Sequence, residues 1–386
     1  MLNLANFRQY SSVRATGLSF AGSGLVFGTW AALIPWLKYK YGLDEAQLGM
    51  LLLCPPAGIV LANPISIPIL GRFGAVRTTL GALIAGALML LAAIASPSLW
   101  LAIPFLFLLG ACMAILNVAM NTCAAMLEQE KGLRILSTCH GLWSSGAMAG
   151  SALAGSALGL GAAAPAYVGG LVVFVMLLAY MLKQPLSEVP EKKALPSPAD
   201  ATPSKGFSWP SSALWLLIVL SLCTNLTEGT ISDWAAVFMR EEAGAGEAVA
   251  SWGFAIYAFF MAGGRFLGDE IIARFGSKTV LRTGGIIAAT GLMPAVFFQH
   301  PVAVLAGFAL VGAGVSLGAP ILYAAAARVP GMAKGAGLAT MNTFAMAAFL
   351  GGPALIGFIA KAFSLPFAFG VVAVLTGVWI WKAGKV

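Results

Sequence analysis

Apolar runs long enough to cross a lipid bilayer recur along nearly the whole chain, Leu80 to Ile94 and Val168 to Met181 among them, with only short connections between them. Each crossing of a 30 Å hydrocarbon core takes about 20 apolar residues, and within the core every backbone N–H and C=O must be satisfied internally. A chain of 386 residues, 60% hydrophobic and 9% charged, has too little polar surface to clothe a water-soluble globule of its size. With Pro, Gly and charge as punctuation, spans fall near 12–37, 47–70, 78–96, 99–127, 134–161, 164–183, 212–239, 248–272, 279–298, 301–328, 333–361 and 365–382. The expected fold is an all-α membrane protein of twelve transmembrane helices. The polar opening stretch (Asn3, Asn6, Arg8, Gln9) leads straight into a run long enough to span, so the first helix is expected to be retained and not cleaved as a signal.

The net charge of +8 comes from residues scattered among short connections, not gathered into a nucleic-acid-binding face. It reports orientation instead. With a cytoplasmic N-terminus, nearly all Lys and Arg fall at the inner interface and only Lys38, Lys40, Arg240 and Lys361 fall outside, which predicts both termini in the cytoplasm of a bacterial inner membrane. Cys54, Cys112, Cys123, Cys139 and Cys223 lie inside apolar runs without metal-ligand or redox spacing, so neither a disulfide framework nor a metal site is expected.

The stretch Gln184 to Ser211 is rich in Pro, Ser, Lys and Glu and divides the chain into an N-terminal six-helix bundle (1–183), a cytoplasmic linker (184–211) and a C-terminal six-helix bundle (212–386). The halves overlay with a shift of 202 residues: Arg72-Phe73-Gly74 meets Arg274-Phe275-Gly276, Gly110 meets Gly312, Leu136 meets Leu338 and Gly150 meets Gly352. Further upstream the shift is 204, and Trp30-Ala31-Ala32 meets Trp234-Ala235-Ala236. Two six-helix repeats of parallel orientation point to a transporter with its site between them.

Gly71-Arg72-Phe73-Gly74-Ala75-Val76-Arg77 and Gly264-Arg265-Phe266-Leu267-Gly268-Asp269, continuing to Arg274-Phe275-Gly276-Ser277-Lys278, resemble the loop signature of the major facilitator superfamily. Asn117-Val118-Ala119-Met120-Asn121 with Glu128, Arg134 and His140-Gly141, and Glu228-Gly229-Thr230-Ile231-Ser232-Asp233-Trp234, resemble the bacterial, sugar-permease-like branch related to fucose permease, although Ala31 and Asn117 stand where fucose permease carries carboxylates. The resemblance implies two bundles around a midplane cavity that opens alternately to each side, usually driven by protons.

Ionisable residues in mid-membrane are costly and mark function. Glu228 lies about 24 Å along its helix from Ser212, near midplane, and could load and release a proton provided that no permanent cation pairs with it. Asp233, further out, is the second coupling candidate. Asn117 and Asn121 share a helix face, as do His140, Trp143 and Ser144, and such groups suit a polar solute or bond helix to helix. Trp30, Asn225, Tyr257, Tyr323 and Asn342 complete the candidate binding set; Asn342 is the repeat partner of His140, and Tyr323 of Asn121.

Arg72, Arg77, Arg265, Asp269, Arg274 and Lys278 are expected at the cytoplasmic gate, with Asp269 as an acidic latch that has only Ile67 as its counterpart in the first half. Glu128 and Arg134 can supply a substitute pair there. No phosphate loop or catalytic triad is visible, so an enzyme is not expected, nor a cofactor. The function so read is secondary active transport of a small polar solute, proton-coupled, by a monomer. Proton-antiport export of drugs or amphipathic compounds stays open, as does a non-transporting receptor or assembly factor on the same fold.

Overall fold

The computed structural model describes residues 7, 9–190, 210–298, 300–329 and 336–384; most of the expected linker lies outside these residues. The described chain is helical throughout, in two bundles. The first contains α1 (Ser11–Tyr41), α2 (Glu45–Leu51), α3 (Cys54–Phe73), α4 (Ala75–Ala95), α5 (Leu99–Lys131), α6 (Leu136–Gly159) and α7 (Ala164–Leu186). The second contains α8 (Ser212–Glu241), α9 (Glu247–Phe275), α10 (Ser277–Phe297), α11 (Pro301–Val315), α12 (Gly318–Ala326), α13 (Ala336–Ala362) and α14 (Leu365–Ala383).

Fourteen helices make twelve crossings, because two spans expected to be continuous are broken. Pro55 and Pro56 cannot donate to the carbonyls of Leu51 and Leu52, which separates α2 from α3, and Pro320 cannot donate to Ser316, which separates α11 from α12. By length and composition ten of the described spans are apolar enough to cross a membrane. The remaining two, α6 and α9, are long enough but too polar. They pack against each other across the two bundles, where Ser151 Oγ donates to the carbonyl of Ser251 at 2.8 Å and Gly155 meets the side chain of Ser251. Shelter between bundles is what permits their polarity.

The internal repeat survives at the level of backbone and contacts. Gly74 and Gly276, 202 residues apart, take φ of 79° and 77°, a region closed to side-chain-bearing residues, and each ends a helix with the preceding Arg lying over its Phe neighbour. A Cβ on Gly110 would run into the carbonyl of Pro55, and one on Gly312 into the carbonyl of Tyr257, so both partners of the contact move by the same 202 residues. The interface between bundles repeats likewise: Gly155 against Ser251 in one place, Gly357 against Gly49 in the other.

One end of the molecule is held shut. Lys38 Nζ lies 2.6 Å from Glu241 Oε2 of the other bundle and 2.9 Å from Glu45, while Lys361 meets Asp44 at 2.9 Å. Asp44 also caps α2, accepting from Gln47 N–H while the Gln47 side chain accepts from Asp44 N–H, so the loop bearing it is fixed.

Candidate functional site

Between the bundles lies a cavity of about 370 Å³, the size of a small-molecule site. Its wall is built from repeat-related positions: Leu52 and Phe254, Pro55 and Tyr257, Ile59 and Met261, Asn63 and Arg265 are each 202 residues apart and all line it. Symmetry of shape therefore carries asymmetry of chemistry, because Asn63 faces the cavity in one half where Arg265 does in the other.

Helix α8 supplies the carboxylates. Its hydroxyls are mostly satisfied within the helix: Thr224, Thr227 and Thr230 donate back to the carbonyls of Ser221, Cys223 and Leu226 at 3.0, 2.8 and 2.7 Å, and Asn225 Nδ2 donates to Ser221 Oγ at 3.0 Å. Glu228 and Asp233 are the two carboxylates that this helix brings to the cavity. Glu228 finds a partner on α9, where Arg265 Nη2 stands 3.6 Å from Glu228 Oε1. The same guanidinium donates from Nη1 to Ser144 Oγ on α6 at 3.0 Å. Arg265 thus ties a carboxylate of the second bundle to a hydroxyl of the first.

An aromatic wall runs across both bundles beside this pair. Phe27 of α1 packs on Trp143 of α6 with ring centroids 5.3 Å apart and on Phe254 of α9 at 5.8 Å, and Phe254 in turn meets Tyr257 at 5.8 Å. His140 sets its edge against Phe20 at 5.3 Å.

Of the residues singled out in the sequence, Trp30, Asn117, His140, Trp143, Ser144, Glu228, Asp233 and Tyr257 come together on the cavity wall. Others do not join them there. Asn121 donates to the Asn117 carbonyl at 2.8 Å, Asn225 lines a small crevice beside Asp233, and Asn342 is half-buried on α13. Tyr323, 39% exposed, stands within electrostatic reach of Glu228 and Arg265.

Arg265 is misplaced by the sequence reading. Expected at the gate as part of a loop motif, it lies in the cavity, about 15 Å inside the end of α9 at Phe275 and already within the span expected at 248–272. The signal was present: Tyr257, Met261 and Arg265 follow at intervals of four, one face of one helix. Asn63 was missed, though the repeat makes it Arg265's counterpart. Phe27, Phe254 and Phe349 carry no sequence signal that separates a cavity wall from packing.

The other gate candidates lie at the end away from Lys38. Arg72, Arg77, Arg134, Asp269, Arg274 and Lys278 are exposed, and among the described residues no ion pair joins the bundles there. Glu128 accepts from the N–H groups of Ile135 and Leu136 at 2.6 and 2.9 Å, which caps α6 within its own bundle instead of pairing with Arg134.

The chain is similar to an uncharacterized MFS-type transporter of Yersinia pestis, 34% identical over 94% of this chain and 92% of the relative. An uncharacterized transporter of Sinorhizobium fredii is 29% identical over 93% and 94%, and the membrane protein MosC of Rhizobium meliloti 27% identical over 92% and 85%. In fold it is similar to a crystal structure of the nucleoside transporter NupG, with a TM-score of 0.72 at 12% identity over 97% of this chain and 99% of that one. Residues 16–246 and 217–384 match the Major Facilitator Superfamily. A twelve-span, two-bundle membrane protein with this match and these relatives is a transporter and not an enzyme, and the chain belongs to the major facilitator superfamily.

Proposed function

We propose that the protein moves a small polar solute across the bacterial inner membrane by alternating access, coupled to protons through Glu228 and Asp233. The observation that carries this reading is the Glu228–Arg265–Ser144 link, an ion pair in a cavity between bundles, with a closed end beyond it. Arg265 pairs with Glu228, so the condition that no permanent cation stand beside this acid is not met, and the coupling proposed here runs through the pair itself: a proton on Glu228 removes the charge that holds Arg265, which is then free to leave Ser144 or to meet the solute. Binding, protonation and the contact between bundles would in this way share one side chain.

The basic end faces the cytoplasm by the positive-inside rule, so the described conformation presents the cavity inward and the Lys38–Glu241 end outward. The opposite conformation closes at the basic end, with Asp269 and its basic neighbours as the latch. The likeness to fucose permease and the nucleoside transported by the fold neighbour NupG both fit a compact polar solute. The aromatic wall favours a second reading, export of an amphipathic compound by proton antiport.

The test is solute-dependent proton flux in proteoliposomes. Glu228→Gln is expected to abolish it; an unchanged flux would remove Glu228 from the coupling role. No flux with any solute would favour a receptor or assembly factor on this fold.

A further inference from the structure

The charge-bearing groups of the cavity do not pair off. Arg265 is the one cation among the described lining residues, and it is committed twice, to Glu228 and to Ser144. Asp233 lines the same cavity and has no hydrogen-bond or ion-pair partner among the described residues. It sits five residues beyond Glu228, about 7.5 Å further along α8 and away from the guanidinium's commitments. The wall thus holds two carboxyl groups and one guanidinium, and the carboxyl group without a partner is that of Asp233.

The surroundings of that carboxyl group are aromatic. Trp30, Phe27, Trp143, Phe254 and Phe349 share the wall, and Phe349 also borders the crevice that Asp233 closes between α8 and α13. A second group in the wall is independently incomplete: the Tyr257 hydroxyl, on a residue 1% exposed, has no hydrogen-bond partner. A buried hydroxyl left unpaired is costly.

We infer that the transported solute is a protonated amine, a small organic cation whose ammonium pairs with Asp233 while its body lies on the aromatic faces. The assignment rests on the transporter reading and narrows its solute. An anion would have to pull Arg265 from Glu228 and would still face Asp233. A neutral solute would leave Asp233 with no partner except a coupling proton. An ammonium answers both, and the ring faces that flank it attract cations as well.

The test uses the purified full chain and two sets of compounds that share a skeleton and differ in charge: glucosamine, glucose and glucuronate; phenethylamine, 2-phenylethanol and phenylacetate. Calorimetric titration to about 10 mM is expected to show, in at least one set, the amine binding about tenfold or more tighter than its neutral and anionic counterparts. Asp233→Asn is expected to erase that preference and Asp233→Glu to keep it, which separates loss of charge from loss of fold. Preference for a neutral or anionic member, equal binding of all three, no binding in either set, or an amine preference that survives Asp233→Asn would each overturn the assignment. Proton flux driven by glucose or glucuronate but not by the amines would sink the amine and leave transport standing. Amine binding without flux from any solute would do the reverse.

Discussion

At one end of the molecule Lys38 joins the two bundles at 2.6 Å from Glu241, and at the other Arg72 and Arg274 lie over their own neighbours Phe73 and Phe275 without reaching across. Both ends carry Lys and Arg; they differ in what those residues are given to do. All four basic residues that the sequence places outside are committed. Lys38 pairs with Glu241 and Glu45, Lys40 donates to the carbonyls of Ile94 and Ser96 at the close of α4, Arg240 meets Glu247 and Lys361 meets Asp44. At the other end Arg72, Arg77, Arg134, Arg274 and Lys278 stay exposed. A charge that holds a structure shut needs a carboxylate opposite; one that sets topology needs only the aqueous interface and headgroups on its side.

The largest break in this contrast should come from Lys38→Met. The Lys38 side chain is 8% exposed and that of Glu241 20%, and removing one partner of a buried pair costs about 3–5 kcal/mol. The closed end should lose roughly 100-fold or more in population, seen as a longer distance between spin labels placed on the two bundles there. Gly155→Val attacks the same end through packing. A Cβ at Gly155 collides with Ser251, and overpacking of about 1–3 kcal/mol should lengthen the same distance less. If Gly155→Val opens the end while Lys38→Met does not, helix contact and not charge holds it shut.

The smallest effect is expected from pH and from Asp44→Asn. The Lys361–Asp44 side chains are 55% and 36% exposed, and a pair so open to solvent contributes little. The hydrogen bond from Lys361 holds the Asp44 carboxyl below its ordinary range, so this contribution is complete above that range and is lost as pH falls through the lowered value. Glu242 moves the other way: burial, with Glu241 and Glu45 nearby, pushes its carboxyl up. Acidification should therefore first neutralise Glu242 and favour closure slightly, then protonate Asp44 and weaken it. The same spin-label distance, followed against pH, should shorten before it lengthens, and Asp44→Asn should remove only the second phase.

Much of this was readable in the chain, for reasons that are local or periodic. Span length follows from bilayer thickness, and the shift of 202 residues that aligned Gly74 with Gly276 also aligned the contacts of Gly110 and Gly312. Glu228 and Asp233 stood out because few side chains are costly enough in lipid to need a reason. The condition set for Glu228, that no fixed cation pair with it, is where the sequence stopped. The motif around Arg265 reads as a loop although the expected span 248–272 already contains it, and only the packing of α9 against α8 and α6 sets it in the cavity beside Glu228.

The sequence by itself determined the solvent, the number of crossings and the repeat, since these depend on hydropathy and spacing along one dimension. Which end is closed, which acid is paired and which is left waiting were decided only by the tertiary structure. Those facts join residues far apart in the chain, 203 positions for Lys38 and Glu241, and a long-range pair leaves no periodic trace in either partner's neighbourhood.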